Sequence, residues 1–94
     1  MTDNQIDAFC LVIKELKSAV KRYAPMNSAH EGLAVLQEEV HELMLEVYKS
    51  PKNRDDKAMK EEAVQVAAMA IRFLTDVCME QDESEVQECS IEYS

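Results

Sequence analysis

The chain contains very few of the residues that interrupt helices. Its 94 residues include one Gly, two Pro and no Trp, while Ala, Leu, Val, Met, Glu and Lys fill most of the long stretches. Gly and Pro are the strongest breakers of regular structure, and the abundant residue types favour helices over strands. Strand signals are essentially missing. The sequence therefore predicts an all-α fold with few helices and short connections.

Positive charge is scarce as well. Ten Lys and Arg residues stand against 19 Asp and Glu residues, which gives a formal net charge of −9. A general nucleic-acid binder is excluded on this ground, because such proteins neutralise phosphates with a basic surface. A single nucleotide held through a metal ion is compatible with the acidic charge.

Long apolar runs and regularly spaced cysteines are also missing. No apolar run approaches the ~20 residues that a membrane span needs, and Asp3 and Asp7 replace the basic start of a signal peptide. Cys10, Cys78 and Cys89 are odd in number and far apart, which fits neither a disulfide framework nor a paired zinc motif. We expect a cytoplasmic protein with reduced thiols and no membrane partner.

The first predicted helix starts at a cap on Asp3 or Asn4 and ends near Tyr23. The next residues, Ala24 and Pro25, end it because proline removes a backbone donor and disfavours helix in the residue before it.

The second predicted helix begins at Ser28, which forms a capping box with Glu31, and runs to about Lys49. Pro51 and its neighbours then supply a turn, and Asn53 is available to cap the following helix. A connection this short implies that the two helices are antiparallel neighbours.

The third predicted helix runs from about Arg54 to Met79. Residues 1–79 then form one antiparallel helical domain, and residues 80–94 form an acidic tail without Lys or Arg. A short fourth helix that includes Val86 and Ile91 is compatible with this tail. Because a chain of this length buries a thin core, self-association into a dimer or tetramer would complete the bundle.

Apolar residues recur at three- and four-residue intervals along each helix, which predicts one buried stripe per helix. In chain order the predicted core-facing residues are Ile6, Phe9, Ile13, Leu16, Val20, Leu33, Leu36, Val40, Leu43, Val47, Ala58, Val66, Met69, Phe73 and Val77.

Two pairs of polar residues at helical spacing lie symmetrically about the turn near Lys52. An antiparallel hairpin sets Glu42 opposite Glu62 and Glu39 opposite Gln65, because the position numbers of both pairs have the same sum. Helical phase places these carboxylates at the edge of the apolar stripes, where desolvation of an unpaired charge is costly. Converging oxygen ligands suit a hard cation such as Mg²⁺, with Mn²⁺ as the alternative.

Two other interpretations of the acidic residues compete with a magnesium site. Glutamates on amphipathic helices usually form a solvated face. The pair Glu38 and His41 has the spacing of a di-iron ligand pair, which a homodimer would supply twice together with Glu62. Helical phase turns Glu38 and His41 toward solvent, which disfavours the di-iron site.

The acidic residues also resemble the E-E-x-x-E, spacer, E-x-x-D signature of the MazG-like all-α nucleoside triphosphate pyrophosphohydrolases. The similarity covers about residues 10–78 and extends to flanking stretches typical of a small phage or prokaryotic branch. The stretches that carry it are Ser28-Ala29-His30-Glu31-Gly32, Glu38-Glu39-Val40-His41-Glu42 and residues 62–72, which begin Glu62-Ala63-Val64-Gln65.

The resemblance implies that Glu39, Glu42 and Glu62 ligate magnesium, with Glu38 as the remaining acid of the first motif, either behind the ligands or on the surface. It also implies that Glu39 or Glu42 accepts the proton of an attacking water. Gln65 occupies the place where the family has Asp, so a fourth ligand there would bring no charge. The family reaction converts an NTP or dNTP to the monophosphate and pyrophosphate. The alternative function is a non-catalytic helical interaction module that kept the fold after losing that Asp.

Cationic residues cluster around the turn, where they are candidates to contact or steer a triphosphate. His30, at the entry to the second helix, is a further candidate for a base or phosphate contact. Arg72 lies on the same side of its helix as Gln65 and is a candidate for a phosphate contact or for a salt bridge to Asp76, of which the salt bridge is favoured. The cationic candidates are Lys49, Lys52, Arg54, Lys57 and Lys60.

Overall fold

A computed structural model describes residues 1–79, and its regular structure is helical. Helix α1 spans Asp3–Arg22, α2 spans Ala29–Val47, α3 spans Asp56–Phe73, and a π-helical turn follows at Leu74–Met79. No strand occurs in these 79 residues, so the all-α prediction is confirmed. None of the described helices has the length and apolar character needed to cross a membrane. The acidic tail and its candidate fourth helix lie outside the described residues.

Helix α1 begins one residue earlier than predicted, because Thr2 is its N-cap. Thr2 Oγ1 accepts a hydrogen bond from the Gln5 backbone at 3.2 Å, and Gln5 Oε1 accepts one from the Thr2 backbone at 2.9 Å. This reciprocal pair satisfies two backbone donors. A cap on Asp3 or Asn4 was therefore the wrong prediction.

Ser28 caps α2 as predicted, with its hydroxyl accepting from the Glu31 backbone at 3.1 Å. The Glu31 carboxylate bonds the Asn27 backbone at 3.1 Å instead of that of Ser28, so the capping box is only half formed. Helix α2 ends at Val47, two residues before the predicted end.

The observed third helix is shorter than the predicted one at both ends. Asp55 caps α3 by accepting from the Lys57 backbone at 2.9 Å, while the Asn53 amide bonds Ser50 within the turn. After Phe73 the chain continues as the π-helical turn. Asp at the cap is favoured because its carboxylate also interacts with the helix dipole.

Helix α3 lies at the centre and packs against both α1 and α2. Helices α2 and α3 are antiparallel: Gly32, near the start of α2, contacts the end of α3. A Cβ atom on Gly32 would lie 2.6 Å from Phe73 Cδ2 and 3.1 Å from Met26 Sδ. The single glycine of the chain thus allows these two helices to approach closely.

The buried apolar residues are small or flexible and lie mostly on α3 and the face of α1 that packs against it. They are Ala19, Met26, Ala68 and Met69. Val12, Val35, Leu36, Phe73 and Val77 pack around them. Burial of Met69 agrees with the predicted stripe.

Several other residues of the predicted stripes are exposed. The exposed fraction is 53% for Phe9, 63% for Val20 and 48% for Leu33, and Ile13, Val40 and Val47 are exposed to a lesser extent. Periodicity identifies an apolar face but not the element that covers it. In α1 and α2 the face that meets α3 is rotated away from the centre of the apolar stripe.

Candidate metal and nucleotide site

Three carboxylates converge between α2 and α3. Glu39 and Glu42 project from α2 and Glu62 from α3, and each offers one oxygen within 4.8 Å of the others. Glu39 and Glu62 are half-buried, whereas Glu42 is exposed. The geometry matches the pairing of Glu42 with Glu62 about the turn that the sequence predicts.

Burial and mutual repulsion favour the protonated forms of two of these groups. Burial, followed by the Glu42 carboxylate and then Glu62 and Glu38, raises the pKa of Glu39 to about 7. Burial likewise raises the pKa of Glu62, with repulsion from Glu42 as the next cause. Like charges that share a partly desolvated site disfavour each other's ionised form. A bound cation would remove this penalty.

The second sign of an oxygen-ligand site is an unsatisfied acceptor. Among the described residues, Glu62 Oε2 is buried and has no hydrogen-bond partner. Such an oxygen costs free energy unless something compensates it. Ligands on opposite sides of Mg²⁺ lie about 4.2 Å apart, because each Mg–O distance is about 2.1 Å. The three oxygens lie up to 4.8 Å apart, so one Mg²⁺ ion would require the side chains to rotate toward one another.

The carboxylates lie in a cavity of about 630 Å³ along the groove between α2 and α3. Gln65 lines the same cavity, in the position that the antiparallel pairing predicts for a fourth ligand. Glu38 also lines it although its side chain is exposed. The helical wheel alone, which turned Glu38 away from the core, did not reveal this contact with the cavity.

The far end of the cavity is formed mostly by residues that the sequence does not predict to belong to the site. Arg22, Tyr23, Ala24 and Met26 come from the end of α1 and the α1–α2 connection, and Arg72 comes from α3. The sequence gives an indication only for Arg72, because it lies on the same side of α3 as Gln65, two turns away. No local pattern signals the α1 residues, because only tertiary packing brings them to the cavity.

The predicted cationic candidates lie outside this cavity. Lys49 pairs with Glu46 at 2.9 Å, and Arg54 donates to the Val47 carbonyl at 2.9 Å, which stabilises the turn. Lys57 and Lys60 line a second groove between α1 and α3, which adjoins the first at Gln65.

Two remaining candidates, Lys52 and His30, are exposed, the first in the turn and the second in the first turn of α2. Neither lines the acidic cavity. Their contacts with a base or phosphate stay predictions.

The two residues of the di-iron ligand pair, Glu38 and His41, do not line the same cavity. Glu38 lines the acidic cavity, whereas His41 lines an apolar groove on the outer face of α2. The group of metal-binding side chains formed within residues 1–79 contains neither of them. This geometry counts against the di-iron interpretation.

The raised pKa of Glu39 predicts how the metal-free fold responds to pH. A carboxyl whose folded pKa exceeds its unfolded pKa contributes stability that is fully present below about pH 4.5 and is lost as pH rises through about 7. In EDTA, Glu39→Gln should therefore be more stable than wild type at pH 8 and match it at pH 4.5. The full shift corresponds to about 3 kcal/mol, and solvent screening of this half-buried carboxyl reduces the expected gain to about 2 kcal/mol, or about 10 °C in Tm.

Circular dichroism melts at both pH values measure this effect. Glu61→Gln, on an exposed neighbour of the site, removes the same charge and serves as the control. If Glu39→Gln and Glu61→Gln changed the Tm by the same amount at both pH values, the prediction would be contradicted.

Comparison with models of known protein families, with curated proteins and with solved structures found no match to this chain. The functional assignment therefore depends on the chemistry of the site and on the motif resemblance.

Proposed function

We propose that the protein is a Mg²⁺-dependent pyrophosphohydrolase of nucleoside or deoxynucleoside triphosphates, of the MazG-like type. The observation that carries the proposal is the group of Glu39, Glu42 and Glu62 beside the unsatisfied Glu62 oxygen. Their spacing along the sequence resembles the motif of that family. Mn²⁺ is the alternative ion, because it accepts the same oxygen ligands.

The proposed reaction adds a water oxygen to phosphorus and breaks the bond to the leaving pyrophosphate, which yields the monophosphate. Bound magnesium supplies charge neutralisation of the triphosphate and acidifies water. Glu62 and one α2 carboxylate hold the ion, and Glu39 or Glu42 accepts the proton of the attacking water.

Cations of the adjoining groove complement the carboxylates. Lys57 and Lys60 line that groove on the other side of Gln65, and their charge attracts phosphates. Arg22 and Arg72 line the far end of the cavity, where Glu15 and Asp76 already pair with them.

The experiment that tests the function is pyrophosphate release from a panel of NTPs and dNTPs, with Mg²⁺, with Mn²⁺ and with EDTA. We expect metal-dependent release from at least one substrate in equal amounts to the monophosphate. Inertness on every substrate without specific Mg²⁺ or Mn²⁺ binding would instead identify the non-catalytic interaction module. Inertness with specific metal binding would contradict the reaction and leave the metal site.

The second part of the proposal is a homodimer or homotetramer. Large apolar side chains on α2 remain exposed, and we name Leu33, Val40 and Met44 the α2 outer face. The described core contains no large, fully buried side chain. Burial of the α2 outer face against a second copy would give each chain the apolar burial that it lacks.

Light scattering after size exclusion tests this association. We expect wild type to contain two or four chains of 10.7 kDa and Val40→Lys to be monomeric, because burial of an unpaired charge is costly. Ala34→Lys, an exposed position outside the α2 outer face, should keep the wild-type mass. A monomeric wild type would refute the association without affecting the metal site.

A further inference from the structure

Arg72 is the charged side chain that the described core buries most fully. Its exposed fraction is 5%, and it lines the far end of the acidic cavity. A buried guanidinium requires hydrogen-bond acceptors around it. Its contacts therefore indicate what this part of the fold holds in place.

Arg72 contacts the α1–α2 connection through a hydrogen bond and the π-helical turn through an ion pair. Arg72 Nη2 donates to the Ala24 carbonyl at 2.5 Å and lies 3.8 Å from Asp76 Oδ2. The same Asp76 oxygen accepts from the Met26 backbone at 3.1 Å. Two side chains at the end of α3 thus bind two backbone groups of the connection.

The π-helical turn supports this arrangement. Asp76 lies in the turn, and Thr75 Oγ1 lies 3.2 Å from the Arg72 carbonyl and 3.3 Å from Asp76 Oδ1, within donating distance of both. Short π-helical segments often occur at functional sites. The sequence predicts the pair between Arg72 and Asp76, but not the hydrogen bonds of these two side chains to backbone groups about 50 positions away.

The connection held in this way forms the end wall of the cavity. Tyr23, Ala24 and Met26 line that end, and Glu62 lies ten residues from Arg72 on the same helix, or about 15 Å away. This distance is comparable with the length of an extended nucleotide. A triphosphate at the carboxylates would leave its nucleoside pointing toward this wall.

We infer that Arg72 and Asp76 are positioning residues, which hold the α1–α2 connection as the nucleoside-binding end of the cavity. The inference rests on the proposed function for the identity of the ligand. It assigns Arg72 and Asp76 to nucleotide affinity and leaves the metal affinity and the chemical step to the carboxylates. Neither residue needs to touch the reacting phosphorus.

Asp76→Asn and Arg72→Lys test the inference, because both keep side-chain size and should fold. Asparagine loses the charge that pairs with Arg72, and lysine replaces the planar guanidinium whose Nη2 donates to the Ala24 carbonyl. We expect nucleotide affinity, measured by titration calorimetry, to weaken about tenfold, the effect of one charged hydrogen bond. KM should rise by the same factor, while kcat stays within about threefold and Mg²⁺ affinity within about twofold of wild type.

Thr2→Ala is the matched control for a purely structural effect. It removes the α1 N-cap and lowers stability without a contact to the cavity. Assays are run where every variant is fully folded by circular dichroism. Wild-type nucleotide affinity in both positioning variants, or the same pattern as Thr2→Ala, would overturn the inference while leaving the proposed function intact. A wild type that binds no nucleotide would overturn both.

Discussion

Glu62→Gln is expected to reduce pyrophosphate release on the order of 10³-fold and, at the same time, to stabilise the metal-free protein at pH 8. The loss of activity follows because the amide removes a charged ligand from the ion that stabilises the transition state. The gain in stability follows because burial and the nearby carboxylates raise the pKa of Glu62. At pH 8 the carboxyl ionises less favourably in the folded than in the unfolded chain, and the amide has no such cost.

The two effects of opposite sign distinguish a metal site from other roles of this residue. Added Mg²⁺ should raise the Tm of wild type and leave that of Glu62→Gln nearly unchanged, because only an ion that prefers the folded state stabilises it. Glu61→Gln is the matched control, one residue away, exposed and lining the other groove. It should resemble wild type in activity and in its response to Mg²⁺.

Contrary results have clear meanings. If Glu62→Gln lost activity but also lost stability at pH 8, the carboxylate would be a structural partner in the fold. If it retained full activity, the metal site would not include α3. Rate assays at saturating nucleotide, with Mg²⁺ varied, separate these results from a simple loss of metal affinity.

The sequence predicts the part of this site that depends on local geometry. Positions 39, 42, 62 and 65 lie on two helices joined by a short turn, so helical phase and antiparallel pairing are enough to bring them together. The Ser28 cap follows equally from local hydrogen bonding. These features depend on residues that are close in sequence or related by one hairpin.

Helical phase and hairpin pairing do not predict the features that depend on α1. The apolar stripe of α1 predicts burial of Phe9 and Val20, yet the small residue Ala19 forms the contact with α3, because α1 docks by close approach rather than by its largest side chains. The attachment of Ala24 to Arg72 spans 48 residues. Periodicity contains no information on such a contact, so the far end of the cavity became visible only in the fold.

Gln65 is the one proposed ligand without a charge, and it lines the cavity beside the three carboxylates. Gln65→Asp would restore the acid that the resembling family has at this place. We expect Mg²⁺ affinity to increase about tenfold, because ligand charge count tunes the affinity of hard-cation sites. The same change should destabilise the metal-free protein at pH 8, since a fourth carboxylate adds repulsion to a site where two pKa values are already raised.

Calorimetric titration with Mg²⁺, combined with melts in EDTA, measures both effects of Gln65→Asp. Gln65→Asn keeps an amide and shortens the side chain as the aspartate does, so it separates the effect of charge from that of length. Tighter Mg²⁺ binding in the aspartate variant alone would support a ligand role for position 65. Equal Mg²⁺ affinity in wild type and both variants would exclude position 65 from the ligands. The three carboxylates would then have to hold the ion with water and the substrate phosphates as the remaining ligands, the arrangement that Mg²⁺ usually adopts at nucleotide sites.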